Sequence, residues 1–238
     1  MVLPARYGST RFPGKPLAVI SGKPLIEWVY RAATRVRGAA RVVVATDDAR
    51  IAHTVRAFGG DVVTTGADHA TGTDRVAEVA RRIRADIIVN LQGDEPVFDP
   101  RLVGRMVRVF ARDGAVDIVT ACHALRDPAE FVDANIVKVV VDGRGHALYF
   151  SRAPIPWNGM RATGAFRHVG VYAYRRAALL RMARLPRTPL EISERLEQLR
   201  ALENGMRIAV VETQHETIGV DVPSDVKKVE KVLQRSLD

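Results

Sequence analysis

Arg6, Arg11 and Lys15 sit in the stretch PARYGSTRFPGKP, directly after the apolar stub Val2-Leu3 and with no acidic residue among them. A Gly- and Pro-rich turn presents backbone N–H groups, and cations beside those groups make an anion site. The spacing is not that of a Walker A loop, because G-x-x-x-x-G-K-[ST] is absent. A basic surface loop is the plainer alternative, but three cations at the end of a first strand favour phosphate. A second feature is the carboxylate pair Asp94 and Glu95 in DIIVNLQGDEP. Charge buried at the end of an apolar run is costly without a partner, and Mg²⁺ takes one or two carboxylates together with phosphate oxygens. Asp221, in TIGVDVPSD, also follows an apolar run and is a second candidate ligand, with a helix cap as its ordinary alternative. Cationic loop and strand-end carboxylates together point to a nucleotide with Mg²⁺.

Other polar groups carry two readings each. Asp47 and Asp48, after VVVAT, suit the start of a helix. In GADHATGTDRVAE, Thr71-x-x-Asp74 matches a capping pattern. His69 and Thr71 also follow a strand, where ligands bind, so cap and ligand both stay open for this segment.

The elements that would position these groups alternate in type. Short β-branched runs lie at 41–47, 61–65, 86–92, 117–123, 136–142 and 207–213, and helix-period segments at 25–36, 49–59, 73–84 and 101–113. Strands alternating with helices predict an α/β fold with a mostly parallel, Rossmann-like sheet and helices on both faces. Ligands in such sheets sit beyond the carboxyl ends of the strands, where both the cations and the carboxylates fall. The middle differs: 135–152 reads as two strands around a turn at Asp142-Gly143-Arg144-Gly145, and 166–175 as another alternating strand. This predicts a small antiparallel lobe, followed by helices at 175–184, 189–204 and 223–236. One domain spanning 1–238 is expected, with a sub-lobe around 135–205.

Composition narrows the function classes. The 238 residues carry a net charge of +9, which suits nucleic acid or an anionic small molecule. Arg residues are scattered through helices, aromatics are only 6%, and no stretch interleaves bases with aromatics, so the small molecule is favoured and no nucleic-acid partner is expected. No apolar run approaches the ~20 residues of a membrane span, and no signal peptide is visible. The single cysteine, Cys122, falls in a strand pattern and reads as a buried, inert thiol. A cytoplasmic protein without a membrane partner is expected.

Read in order, PARYGSTRFPGKPL, TDD, DHATGTDRVAEV, NLQGDEP, NIVKVVVD, ALYFSRAPIPW, RHVGVYAYR, PLEISERLEQLRALENG and GVDVPSDV span nearly the whole chain. Together they closely resemble the 3-deoxy-manno-octulosonate (Kdo) cytidylyltransferases, a branch of the sugar nucleotidyltransferases with a GT-A-like fold. FSRAPIPW, RHVGVYAYR and LEQLR carry the likeness to the Kdo branch. The resemblance implies the reaction CTP + Kdo → CMP-Kdo + pyrophosphate with Mg²⁺, serving lipopolysaccharide assembly in the cytoplasm of Gram-negative bacteria, and a homodimer. It implies that Arg6, Arg11 and Lys15 hold the CTP phosphates, with Lys15 neutralising the leaving pyrophosphate. Asp94 and Asp221 would hold Mg²⁺, while Pro4, Ala5, His69, Thr71, Gly72 and Gln92 would line the cytosine and ribose pocket. Arg152 is the candidate for the sugar carboxylate, and His168, Tyr172, Glu194, Glu197 and Gln198 are candidates for sugar hydroxyls. The plainer roles are core for Tyr172, a solvated helix face for Glu194, Glu197 and Gln198, and packing or dimer contact for Trp157. Leu190, Ile192, Leu196 and Leu199 are expected to form the apolar face of that helix.

Three departures from the family pattern leave the proposed phosphate and metal groups in place. Only Met1-Val2-Leu3 stand where the family has a longer first strand, Thr71 replaces the more usual Ser, and Phe12 the more usual Leu. Two other readings remain: the same chemistry on 8-amino-Kdo or another acidic sugar, and a basic non-enzymatic binding protein. The second leaves the strand-end carboxylates without a task.

Overall fold

The computed structural model describes residues 1–8, 12–157, 159, 164–215, 218–220 and 222–235. Two units of structure divide the chain, one comprising 1–104 and 217–238, the other 105–216. In the first, β1 (Val2–Pro4) is followed by a 3-10 turn at Lys15–Leu17 and by β2 (Val19–Ile20) and β3 (Lys23–Pro24). Then come α1 (Leu25–Thr34), β4 (Val43–Thr46), α2 (Ala49–Ala57), β5 (Val62–Thr64), α3 (Gly72–Arg82) and β6 (Ile87–Asn90). The helix α4 (Pro100–Arg112) runs on into the second unit.

Strands of the first unit are ordered β6-β1-β4-β5 and all pair in parallel. Although β1 is only three residues long, it lies between two partners, with Val2 opposite both Val43 and Asn90. Every residue of β4 is buried, so side chains on both faces of this strand meet protein. That is why Val43, Val44 and Ala45 are apolar in succession rather than alternating with polar residues. The hairpin β2–β3 is a separate two-stranded antiparallel sheet. Capping follows the expected chemistry: Asp48 accepts from the backbone N–H groups of Arg50 and Ile51 at the start of α2, and Thr71 from that of Asp74 at the start of α3.

The second unit holds β7 (Ile118–Ala124), α5 (Pro128–Val132), β8 (Lys138–Val141), β9 (Ala147–Ser151), β10 (Phe166–Arg175), α6 (Arg176–Met182), α7 (Pro189–Glu194), α8 (Gln198–Glu203) and β11 (Ile208–Glu212). Its strand order is β11-β7-β10-β8-β9, with only the β11–β7 pair parallel. The β8–β9 turn forms as its sequence suggests: the Asp142 carboxylate accepts from the backbone N–H groups of Arg144 and His146, and Gly145 takes the left-handed φ of 82°. The region expected as a sub-lobe, 135–205, lies within this unit. Cys122 is buried in β7, and desolvation pushes its thiol up to about 12. The chain ends in the first unit with α9 (Asp225–Arg235).

One expectation needs correction. Residues 189–204 do not form a single helix: α7 ends at Arg195, whose left-handed φ of 55° turns the chain before α8 begins. Leu196 and Leu199 are buried, but Leu190 and Ile192 are exposed, so the four do not share one apolar face. The two short helices are joined instead by a buried ion pair, with the Arg200 guanidinium donating to both oxygens of Glu191 at 2.8 and 2.6 Å. An extrapolated 3.6-residue period does not register a single left-handed residue, and such a residue places the next turn on a new axis.

Candidate active site

At the carboxyl ends of β1 and β6 the first unit opens into a cavity of about 480 Å³. Pro4, Ala5, Arg6, Lys15, His69, Thr71, Gly72, Gln92 and Asp94 all line it, together with Pro16, Ala70, Arg75 and Gly93. Thus nine residues singled out from the sequence converge on one space. Of the remaining candidates, Arg11 and Asp221 lie outside the described residues. The chain just before Asp221 is placed: the Val220 backbone N–H donates to the carbonyl of Asp94 at 2.9 Å, and that of Ile218 to the carbonyl of Val97 at 3.2 Å.

Local chemistry explains why these loops lie as they do. Past β6 the chain crosses so near the end of β1 that a Cβ on Gly93 would sit 2.8 Å from the Pro4 carbonyl oxygen. Only glycine permits that approach, and it sets Gln92 and Asp94 beside Pro4 and Ala5. The loop after β1 is closed by the Gly14 N–H donating to the Tyr7 carbonyl at 2.9 Å. Gly14 has φ 70° and starts the 3-10 turn that brings Lys15 back over the cavity. The Lys15 ammonium donates to Asp94 Oδ2, so the candidate phosphate cation and the candidate metal ligand are in contact with each other. Arg6 is exposed on the same rim. The N-terminus of α3, at Thr71-Gly72, adds the positive end of a helix dipole to the wall. Thr71 therefore both caps the helix and lines the cavity.

Two residues escape sequence reading: Arg75 on this wall and Glu78 behind its His69. Arg75, nearly fully buried, holds Asp47 at 3.0 Å and donates to Thr65 Oγ1 and to the Gly66 carbonyl, so it ties the ends of β4 and β5 to α3. Its spacing of four from Thr71 places it on the same helix face, and that was the signal available. Glu78 accepts from His69 Nε2 at 2.5 Å, from the Gly66 N–H at 2.9 Å and from Arg82. Its carboxyl lies below the ordinary range despite desolvation, because the His69 hydrogen bond and the other donors favour the anion. Glu78 thereby orients the imidazole, leaving Nδ1 as the ring nitrogen not engaged with it.

In the second unit, Arg152 and Glu194 form one cluster. The Arg152 guanidinium donates through Nε to the Glu194 carbonyl at 3.0 Å and through Nη1 to that of Ala134 at 2.9 Å. Glu194 accepts from Ser151 Oγ at 2.5 Å, from the Arg152 N–H at 2.9 Å and from Tyr149 Oη at 3.4 Å. Lys138, fully buried, donates to the carbonyls of Asp133, Ile136 and Arg152. The ammonium is a compact charge in a low-dielectric setting, and desolvation lowers its pKa. His168 and Tyr172 are ring neighbours on β10, 5.4 Å between centroids, with Phe150 edge-on to His168. Thr120 Oγ1 lies 2.8 Å from the Val171 carbonyl and 2.8 Å from His168 Nε2. A hydroxyl has one hydrogen, and here it goes to the carbonyl, so Nε2 is the donor and Nδ1 the acceptor. The surrounding protein desolvates the ring and pushes its pKa down to about 3, although the residue as a whole is only half-buried. Glu197 flanks Arg200 at 3.9 Å, and Gln198 is buried rather than solvated.

The sequence profile of the cytidylyltransferase family matches residues 1–208. A 3-deoxy-manno-octulosonate cytidylyltransferase of Geobacter sulfurreducens is 52% identical over 96% of this chain and 96% of its own length. One of the same name from Syntrophotalea carbinolica is 52% identical over 98% of this chain and 97% of its own. Among solved structures, a CMP:2-keto-3-deoxy-manno-octonic acid synthetase complexed with CTP superposes with a TM-score of 0.94 at 46% identity, covering 99% of this chain and 98% of that one.

Proposed function

The chain belongs to the cytidylyltransferase family, and from that premise we propose that it transfers CMP from CTP to the anomeric hydroxyl of Kdo, releasing pyrophosphate. The observation that carries this reading is the convergence of Arg6, Lys15, Gln92 and Asp94 with the α3 N-terminus on one cavity at the strand ends. Support for CTP and Kdo comes from the names of relatives matched over nearly their whole length, and from the CTP complex of the structural neighbour.

In the reaction a bond forms between the sugar oxygen and the α-phosphorus, the bond from that phosphorus to the bridging oxygen breaks with its electron pair leaving on pyrophosphate, and the hydroxyl proton passes to solvent water. Such a transfer depends on positioning and charge neutralisation more than on covalent protein chemistry. Pro4, Ala5, His69, Thr71, Gly72 and Gln92 are assigned to the base and ribose. Arg6, Arg11 and Lys15 are assigned to the phosphates, and Lys15 to neutralising the charge that develops on the departing pyrophosphate. Arg152 receives the sugar carboxylate: two of its N–H groups are fixed on backbone carbonyls, which pre-orients the remaining ones. Glu194 anchors that arginine's loop through both carboxylate oxygens, and His168 Nδ1 is an acceptor for a sugar hydroxyl. Tyr172, Glu197 and Gln198 complete the assignment to the sugar.

Magnesium is part of this reading. Asp94 is a partly exposed carboxylate on the cavity wall that already accommodates a cation, the Lys15 ammonium. Among the described residues no group of three or more His, Cys, Asp or Glu side chains is arranged to hold a metal. One or two carboxylates with substrate phosphates is the ordinary Mg²⁺ set, and Asp94 on the cavity wall fits it; Asp221, outside the described residues, is assigned as the second ligand. Bound there, the ion would neutralise phosphate charge. We further assign a homodimer, supported by Trp157 and Ile192, large apolar side chains left 79% and 55% exposed in the second unit. Among the described residues no helix is long and apolar enough to cross a membrane, and a cytoplasmic setting matches a nucleotide substrate.

Pyrophosphate release by the purified protein with Mg²⁺, CTP and Kdo, each omitted in turn and UTP exchanged for CTP, tests the proposal. Release requiring all three is expected. Release from 8-amino-Kdo but not from Kdo would move the sugar assignment, and none from either would remove the reaction.

A further inference from the structure

We propose that Arg50, on the first turn of α2, is a positioning residue for the phosphate loop, acting through Tyr7. Its guanidinium lies 3.4 Å from the centroid of the Tyr7 ring. Arg50 is itself held by Asp48, through Nε at 3.1 Å and Nη2 at 2.6 Å. Asp48 is in turn fixed as the cap of α2. Tyr7 also lies against Gly14, where a Cβ would come within 3.0 Å of Cε2 and 3.1 Å of Cζ. The Tyr7 carbonyl accepts from the Gly14 N–H, which closes the loop. A rigid helix start, a carboxylate, a planar cation, an aromatic ring and a glycine thus form one stack.

The stack bears on the two ends of the cationic loop. Arg6 precedes Tyr7 and Lys15 follows Gly14, and both line the cavity. The Gly14–Tyr7 hydrogen bond is one backbone contact between the two ends, and one such bond contributes only about 0.5–1.5 kcal/mol net. A guanidinium stacked on the ring adds an attraction that survives partial exposure, because the interaction is with the quadrupole of the ring face. Bidentate pairing with Asp48 fixes the plane of the guanidinium, so that it meets the ring flat. The expected consequence is a loop whose cations are held in phosphate-binding position before the nucleotide arrives, which lowers the ordering cost of binding. Arg50 is not assigned to touch the nucleotide.

This inference rests on the proposed cytidylyl transfer for its kinetic readout but not for its structural one. Steady-state kinetics with CTP and Kdo are measured for the wild type and for Arg50→Ala, Arg50→Lys, Tyr7→Phe and Tyr7→Leu. Arg50→Ala is expected to raise KM for CTP about two- to fivefold, the scale of a cation–π contact at a partly exposed site. The KM for Kdo and the melting temperature should stay put. Arg50→Lys recovers part of the loss, and Tyr7→Phe, which keeps the ring, binds CTP more tightly than Tyr7→Leu. In parallel, the rate of tryptic cleavage after Arg11 in the native protein is followed by mass spectrometry, and Arg50→Ala is expected to accelerate it by a similar factor. An unchanged CTP KM with unchanged cleavage overturns the inference, as does an equal rise in both KM values. If the wild type shows no transfer yet Arg50→Ala is cleaved faster, the stack stands and the assigned reaction falls.

Discussion

Asp94 and Lys15 show most directly how single side chains divide the work. Their contact means that a carboxylate assigned to metal and an ammonium assigned to phosphate are neutralised by each other, across 79 positions of sequence. Asp94→Asn keeps the shape and a hydrogen-bond acceptor but removes the charge. It is expected to lower kcat by about 10²–10³-fold, the scale of losing one preorganised electrostatic group, with a circular dichroism spectrum like that of the wild type. Wild-type turnover by this variant in Mg²⁺ would refute the metal assignment. Arg152 makes a different test. Two of its donors are already fixed on carbonyls, so a lysine cannot both hold the loop and grip a carboxylate. Arg152→Lys is expected to raise KM for the sugar acid at least about tenfold, the scale of one charge-assisted hydrogen bond, while KM for CTP changes little. Equal changes in both would take Arg152 out of the sugar site.

Strands β7 and β10 meet at an irregularity in register between Val169 and Tyr172, where Thr120 bonds to the Val171 carbonyl and to the neighbouring His168 ring. This is an element-level device with a pH signature. The unfolded chain protonates the ring below about pH 6.5, the folded protein only below about 3. The folded state therefore binds fewer protons in that window and loses stability as pH falls through it, by up to roughly 1.4 kcal/mol per pH unit. His168→Gln retains a donor for Thr120 but does not titrate. Between pH 7 and 4.5 its urea midpoint is expected to fall less than that of the wild type, by the equivalent of about 2–3 kcal/mol. Parallel falls would show that the ring is not desolvated. The same scale shows where sequence reading stops: the period of PLEISERLEQLR runs unbroken through Arg195, whereas the backbone turns there.

For the whole molecule, the prediction concerns assembly. Sedimentation equilibrium is expected to give twice the mass of the chain, and Ile192→Glu combined with Trp157→Ser to shift the species towards one copy. A monomeric wild type would remove the homodimer. The net charge of +9 has its role at this scale too, in attracting an anionic nucleotide and a sugar acid.

Motifs and periods were enough to predict the alternation of strands and helices, the cationic loop, the carboxylate after β6 and the family resemblance. Each depends on residues near one another in the chain, where spacing alone states which groups share a loop or a face. The tertiary structure decided which polar groups answer which. Arg75 meets Asp47 across 28 positions of sequence, Arg152 meets Glu194 across 42, and Arg50 stacks on Tyr7 across 43. It also decided that Gly93 must be glycine, because the conflicting atom belongs to Pro4 on another strand. The physical reason is common to these cases. Hydrogen bonds, ion pairs and ring contacts act over a few ångströms and are indifferent to chain separation, so their partners exist only once the sheet has brought the strand ends together.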